Sequence, residues 1–147
     1  MTTVVPQRPA PPVVARGYGA LRVPGLVLAA AVAATTVVAT VDPNQPGHYP
    51  TCPFLAVTGY YCPGCGSLRA LHDLAHGDLA GALARNPLMV LATGGLVIAF
   101  VLWSRRRWRG LPRTWAAPAS VLYGLLGLVL AFWVLRNVPG WTWLSPA

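Results

Sequence analysis

Three long apolar runs alternate with polar segments along the chain, and each run can cross a lipid bilayer as a helix. The runs cover residues 23–41, 87–103 and 118–138. A membrane-spanning helix needs about 17 to 25 predominantly apolar residues. Pro24 and Pro87 stand near the start of the first two runs, where the missing N–H of proline is harmless to a helix. The pattern predicts an all-α membrane protein with three transmembrane helices, spans one to three.

The polar segment between spans one and two, residues 42–86, has two different halves. Residues 42–66 contain so many prolines and glycines that we expect turns and irregular chain there. From Ser67 onwards apolar side chains recur with helical spacing, which predicts a helix over residues 67–76 and another over residues 79–85. Both helices are too short to span, so we expect them on the membrane surface or folded back against the spans.

Local signals mark the ends of these short helices and the start of span two. Ser67 and Asp78 have side chains that can cap the two helices, and Gly77 can end the first of them. Asn86 can cap span two, with Pro87 in its first turn. The predicted turn and cap residues of the motif are Gly66, Gly77, Asp78, Asn86 and Pro87.

Composition agrees with a membrane protein. The chain of 147 residues is 55% hydrophobic and only 10% charged, whereas a soluble domain has roughly 25% charged residues. A net charge of +8 is typical of nucleic-acid binding, but five of the eleven basic residues, all of them arginines, crowd between spans two and three. A cytoplasmic membrane loop carries its charge in that way. We therefore expect the lipid bilayer, and no nucleic acid, as a partner.

The distribution of arginines predicts the orientation in the plasma membrane. Eight of the eleven arginines lie before span one, or between spans two and three, and the positive-inside rule places these segments in the cytoplasm. Residues 42–86 and the C-terminus are then extracytoplasmic. Residues 1–22, rich in proline, are predicted to be a disordered cytoplasmic tail before a membrane domain over residues 23–147. A signal peptide cleaved near Ala39 is an alternative interpretation of span one.

All three cysteines, Cys52, Cys62 and Cys65, fall in the predicted extracytoplasmic loop. In an oxidising compartment two of them can form a disulfide that stabilises the protein by about 2 to 4 kcal/mol and leaves one thiol. A tetrahedral zinc site is the second interpretation, because three thiolates and one histidine supply four ligands. The candidate fourth ligands are His48, His72 and His76. Redox chemistry is the third, since Cys62 and Cys65 form a C-x-x-C pair before a predicted helix.

The remaining polar residues offer little other chemistry. His72 and His76 share a helix face with Arg69 and Asp73, which favours a solvated surface or a hydrogen-bond network, and Arg69 is spaced to pair with Asp73. Three aspartates and no glutamate argue against catalysis by paired carboxylates. No span has an ionisable residue near its centre, so we expect no transport path, and the small residues of the spans are expected to pack the spans together. Arg136 is expected to reach the lipid headgroups.

One stretch resembles a known family. The segment CPFLAVTGYYCPGCGSLRALHDLAHGDLAGALARNPL carries the pattern C-P-x(8)-C-P-x-C-G-x-x-R-A, followed by H-G-D and N-P-L. It is similar to a family of small bacterial multi-pass membrane proteins described only as a domain of unknown function, which implies a membrane location and no established activity. From the residues we expect a non-enzymatic accessory or scaffold protein with a cysteine-stabilised loop, partnered by another membrane protein or a second copy. Metal binding and thiol-disulfide exchange are the alternatives.

Overall fold

The computed structural model describes residues 17–111, 116–141 and 144, and within them the chain forms helices and loops without a strand. The helices are α1 (Arg22–Thr40), α2 (Pro53–Thr58), α3 (Ser67–Ala75), α4 (Leu79–Arg85), α5 (Pro87–Trp108) and α6 (Ala119–Arg136). A 3-10 turn over Gly17–Leu21 leads directly into α1. The predicted all-α fold is confirmed for the described part of the chain.

Three of these helices are long and apolar enough to cross a membrane, namely α1 with the turn before it, α5 and α6. They correspond to the three predicted spans. Helix α5 continues beyond the predicted end at residue 103, through the arginines at 105–107 to Trp108. Arginine is a good helix former and its charge is favourable at a helix C-terminus, so these polar residues extend the helix.

The predicted disordered tail falls only partly within the described residues, because residues 1–16 lie outside them. Residues 17–22 are helical instead, as the 3-10 turn and the first residue of α1. Tyr18 in this turn packs edge-on against Trp108 at the end of α5, with 4.9 Å between the ring centroids. This aromatic contact ties the turn to the neighbouring span.

Most of the predicted helix ends are confirmed. Gly77 follows α3 with a φ of 80°, and the N–H of Asp78 donates to the carbonyl of Asp73 at 2.9 Å, as in a Schellman end. The Oδ1 atom of Asp78 accepts from the N–H of Gly81 at 2.8 Å and so caps α4. The side chain of Asn86 caps α5. These helix ends could be predicted from the sequence because each signal acts within a few residues of its own position.

Two local predictions are wrong. Ser67 is the first residue of α3 and makes no capping bond, because the cap position belongs to Gly66, with a φ of 79°. The segment expected to be irregular contains α2, which begins at Pro53 and is followed by Gly59 with a φ of 73°. A proline at the first helical position and a glycine just after the last are helix signals. They were hidden among the many other prolines and glycines of this segment.

The spans are not packed together by their small residues. At most 11% of the residues in the apolar stretch of each span are buried, and a side-chain carbon added at four span glycines would meet nothing within 4 Å. These glycines are Gly94, Gly95, Gly124 and Gly127. The predicted packing is therefore wrong for the described residues. A membrane helix gains little hydrophobic free energy by exchanging lipid for another helix.

The packed part of the molecule lies at one end of the spans, around α3. Helix α3 contacts α1, α4 and α5, so the short helices fold back against the spans, which was one of the two predicted arrangements. The buried residues of this end include Val38, Cys65, Ala70, Ala82, Asn86 and Arg136. Two of these are polar or charged, and both contact the cysteine loop.

Candidate functional site

The three cysteines, separated by up to 13 positions in the sequence, come together at this packed end. The Sγ atom of Cys62 lies 3.6 Å from that of Cys52 and 3.3 Å from that of Cys65. All three sulfurs lie within 4.8 Å of one another. Cys65 is buried, and the other two are half-buried. We call these residues the three-cysteine cluster.

Two backbone features bring the sulfurs together. Cys52 occupies the cap position of α2. Cys62 and Cys65 stand at the ends of a tight turn, in which the N–H of Cys65 donates to the carbonyl of Cys62 at 3.1 Å. Pro63 suits the second position of such a turn because its ring fixes φ. The turn therefore places the sulfurs of Cys62 and Cys65 on the same side, against the start of α2.

Asn86 holds this turn from inside. It is 1% exposed, and its Nδ2 donates to the carbonyls of Pro63 at 2.9 Å and Cys65 at 3.2 Å, and to the Oγ of Ser67 at 3.2 Å. Its Oδ1 accepts from the N–H of Met89 at 3.0 Å, which is the predicted cap of α5. One amide thus joins the cysteine turn to span two. The sequence predicted the cap but not the hydrogen bonds to the turn, although asparagine among the common cap residues has an NH2 group that can donate twice while its oxygen caps the helix.

Residues at the end of α6 also form hydrogen bonds with the loop that carries Cys62. Asn137 accepts from the N–H of Tyr61 at 2.8 Å and donates to the carbonyl of Tyr61 at 2.9 Å. Arg136 is 2% exposed, and its Nη1 donates to the carbonyls of Cys62 at 3.4 Å and Pro63 at 3.3 Å. The expectation that Arg136 reaches the headgroups is therefore wrong. Its side chain turns inward, where these two loop carbonyls accept from it in addition to the N–H of Cys65 and the Nδ2 of Asn86.

The thiols of Cys52 and Cys65, the first and last of the three cysteines, differ in pKa. The backbone N–H of Leu55, at the start of α2, lowers the pKa of Cys52, as expected for a thiol at a helix N-terminus. Burial raises the pKa of Cys65 to about 12, with the neighbouring thiol of Cys62 as the next contribution. In the metal-free, reduced protein, Cys52 is thus more readily ionised than Cys65.

This difference predicts the order of alkylation. With limiting iodoacetamide at pH 8, we expect Cys52 to be modified well before Cys65, because only the thiolate reacts and a lowered pKa increases the thiolate fraction at a given pH. Cys65 should stay largely unmodified until the pH approaches its own raised pKa. Peptide mass spectrometry of the reduced protein measures both. Faster modification of Cys65 would contradict the arrangement.

The histidines lie in a separate network near the end of α1. The Nδ1 of His72 lies 2.8 Å from the carbonyl oxygen of Val38, and its Nε2 lies 3.8 Å from Oδ1 of Asp42. The Nδ1 of His48 lies 2.9 Å from the carbonyl oxygen of Asp42, and that of His76 lies 2.8 Å from the carbonyl oxygen of His72. Among the described residues, the group of mutually close ligand atoms contains the cysteines and no histidine. The structure thus gives no support to a histidine as fourth ligand.

The polar face of α3 contacts its neighbours and is not fully solvated. Oδ2 of Asp73 lies 3.9 Å from Nε of Arg85 at the end of α4. The pairing of Arg69 with Asp73 stays a prediction. Arg69 lines a cavity beside the cluster.

A cavity of about 700 Å³ borders the three-cysteine cluster. It lies between the loop that follows α1 and the start of α3, and both Cys52 and Cys65 contribute to its wall. Its polar lining includes Tyr49, Ser67 and Arg69. A small molecule or ion in this cavity therefore lies beside two residues of the cluster.

The family comparison coincides with this site. Residues 52–100 match a family model described as "Protein of unknown function (DUF2752)". The match begins at Cys52 and contains all three cysteines and Asn86, so the predicted resemblance to a family of unknown function is confirmed over about a third of the chain. The comparisons with curated proteins and with solved structures gave no match. The chemistry of the matched segment must therefore be inferred from its own residues.

Proposed function

We propose that this chain is a membrane-anchored metal-binding protein whose three-cysteine cluster holds one thiophilic divalent ion, with zinc the best fit. The convergence of the three sulfurs, separated by 3.3 to 3.6 Å along the cluster, is the observation that carries the proposal. Zinc–sulfur bonds of about 2.3 Å in a tetrahedron place sulfurs about 3.8 Å apart. Two of the three sulfur pairs are close to that spacing, and the third pair lies within 4.8 Å.

The same convergence argues against the disulfide-stabilised scaffold that the sequence favoured. A disulfide uses two cysteines, and Cys62 is close to both Cys52 and Cys65. A Cys62–Cys65 disulfide would leave the thiol of Cys52, whose pKa is lowered, beside the disulfide, where its thiolate can attack and exchange the pairing. A disulfide that only stabilises the loop needs no third thiol at this position. A metal site uses all three.

The cavity supports a site with one exchangeable position. Three protein ligands with a fourth position open to small molecules are typical of zinc sites that do more than stabilise a fold. Here Cys52 and Cys65 border the cavity, so the fourth ligand is a group that enters from it. This suits a protein that accepts, holds or presents an ion at the membrane.

The location that we propose is the extracytoplasmic face of the plasma membrane. Helix α5 begins beside the cluster at Pro87 and ends after the arginines at 105–107. Its 22 residues correspond to about 33 Å at about 1.5 Å per residue, so the cluster and the arginines lie at opposite ends of a span. The positive-inside rule then puts the cluster outside. Modification of Cys52 in intact cells by a membrane-impermeant maleimide, after reduction and chelation, tests this; labelling only after lysis would reverse the orientation.

Cobalt substitution tests the proposed function. The reduced protein, purified in detergent, should bind one equivalent of Co²⁺ with intense sulfur-to-cobalt absorption in the near ultraviolet, and Zn²⁺ should displace it. The variants His72→Ala and His76→Ala should keep both the absorption and the affinity, because neither ring lies in the cluster. Fully reduced protein that develops no such absorption would contradict the proposal.

Thiol-disulfide exchange is a second candidate, favoured by the lowered pKa of Cys52. In this case the Cys52 thiolate attacks a partner disulfide and releases one partner thiolate, and Cys62 then attacks the mixed disulfide. The products are a Cys52–Cys62 disulfide and a partner dithiol, so the electron pair passes to the partner. Cys65→Ser should leave this reaction intact but disrupt metal binding, which separates the two functions.

A further inference from the structure

Arg136 is the most deeply buried charged residue among those that the structure describes. It ends α6 and is 2% exposed. Its three partners are backbone carbonyls, those of Cys62, Pro63 and Arg85, the last at 3.2 Å from Nη2. Its Nε is buried and has no hydrogen-bond partner. Carbonyl dipoles thus surround this side chain without satisfying all of its donors.

This buried cation lacks a full counter-charge. Across residues 17–111, 116–141 and 144, no carboxylate oxygen lies within 4.0 Å of its guanidinium nitrogens. The guanidinium lies 5.1 Å from the ring centroid of Phe132, and the end of α6 offers roughly half an elementary charge. Buried charges in proteins are normally paired. When they are ionised, the side chains of Cys65, Cys62 and Tyr61 interact electrostatically with Arg136.

We propose that Arg136 is the counter-charge of the metal-loaded three-cysteine cluster. Three thiolates and one divalent ion carry a single net negative charge, and Arg136 makes the buried assembly neutral. The inference rests on the proposed function and adds a selectivity to it. A monovalent ion would leave one negative charge unbalanced, so the site is matched to divalent ions of the zinc class.

A merely mechanical role for Arg136 makes a different prediction. Arg136 also holds the turn at Cys62 and Pro63, and Asn137 holds the adjacent residue Tyr61 through two hydrogen bonds. Asn137 carries no charge, so it is the matched control. If loop support alone matters, removal of either side chain should have a similar effect on the metal.

The experiment is a Co²⁺ titration of the full chain in detergent, followed by sulfur-to-cobalt absorption, with Zn²⁺ competition. Arg136→Met removes the charge at similar volume and should weaken binding about 10- to 100-fold, the usual effect of losing an outer partner of a metal site. Arg136→Lys, which keeps the charge, should recover most of the affinity. Asn137→Ala should have a smaller effect than Arg136→Met. Arg136→Gln, whose amide can still donate to a loop carbonyl, replaces Arg136→Met if that variant lacks the helical circular dichroism spectrum.

The outcomes separate this inference from the proposed function. Equal affinities for wild type and the two neutral variants would overturn the counter-charge role while leaving the metal site in place. The counter-charge role would also be overturned if Arg136→Lys and Asn137→Ala both bound Co²⁺ as weakly as Arg136→Met. Support of the loop alone would then explain the loss of affinity. A wild-type protein that binds no Co²⁺ would remove the proposed function and this inference with it.

Discussion

Cys62→Ser is expected to lower the affinity for Zn²⁺ and Co²⁺ on the order of 100-fold or more, the largest effect predicted for any single change. Structural zinc sites have apparent binding free energies of about 10 to 16 kcal/mol. Loss of one of four ligands therefore removes about 2.5 to 4 kcal/mol, or roughly two to three powers of ten in affinity. Cys62 is the middle member of the cluster, in contact with both other sulfurs.

The three single cysteine variants together distinguish a metal site from a disulfide. In a metal site, serine at Cys52, Cys62 or Cys65 removes one ligand each, so all three variants should lose the cobalt absorption. In a disulfide-stabilised loop one cysteine is unpaired, and its replacement should change neither the thermal stability nor the non-reducing peptide map. One silent variant among the three would thus contradict the metal site.

Asn86→Ala is expected to destabilise the protein by about 1.5 to 5 kcal/mol. Loss of the cap of α5 costs about 0.5 to 2 kcal/mol, and loss of the hydrogen bonds that Asn86 donates to buried carbonyls costs about 1 to 3 kcal/mol. The carbonyls concerned are those of Pro63 and Cys65, at the centre of the cysteine turn. Thermal unfolding in detergent, followed by circular dichroism, measures the loss, and Co²⁺ affinity should fall with it.

Asn86→Ser separates the two roles of this residue. Serine is an effective helix cap, but its side chain is too short to reach the turn and keep both carbonyl bonds. We expect it to recover only the capping share of the stability and to leave Co²⁺ binding weakened. A serine variant with wild-type stability and wild-type Co²⁺ affinity would show that the clamp on the cysteine turn contributes nothing.

The elements that the sequence predicted well depend on short-range physics. The apolar runs set the spans, and the caps at Asp78 and Asn86 act within three residues of their own positions. The end of α3 at Gly77 follows from a positive φ that glycine adopts without strain. Such features need no knowledge of the rest of the fold.

The parts of the site that sequence reasoning missed depend on contacts between distant residues. Arg136 reaches Cys62 across 74 positions, and Asn137 reaches Tyr61 across 76. The position of Arg136 near the end of a span predicted that it reaches the headgroups, because an arginine there usually extends to water. No local signal indicated that it contacts the loop carbonyls instead. The hydrogen bonds of the histidines likewise depend on the fold. Helical spacing placed His72 and His76 on one face, but only the fold decides that this face meets the end of α1.

Metal content and thiol state of the wild-type protein, measured together, test the central claim most directly. The protein is extracted in detergent under anaerobic conditions without chelators, and one sample is analysed for metals while another is alkylated before and after chelation. We predict one zinc-class ion per chain, and cysteines that become reactive only when the ion is removed. A protein without stoichiometric metal, with two of Cys52, Cys62 and Cys65 joined in a disulfide, would contradict the account.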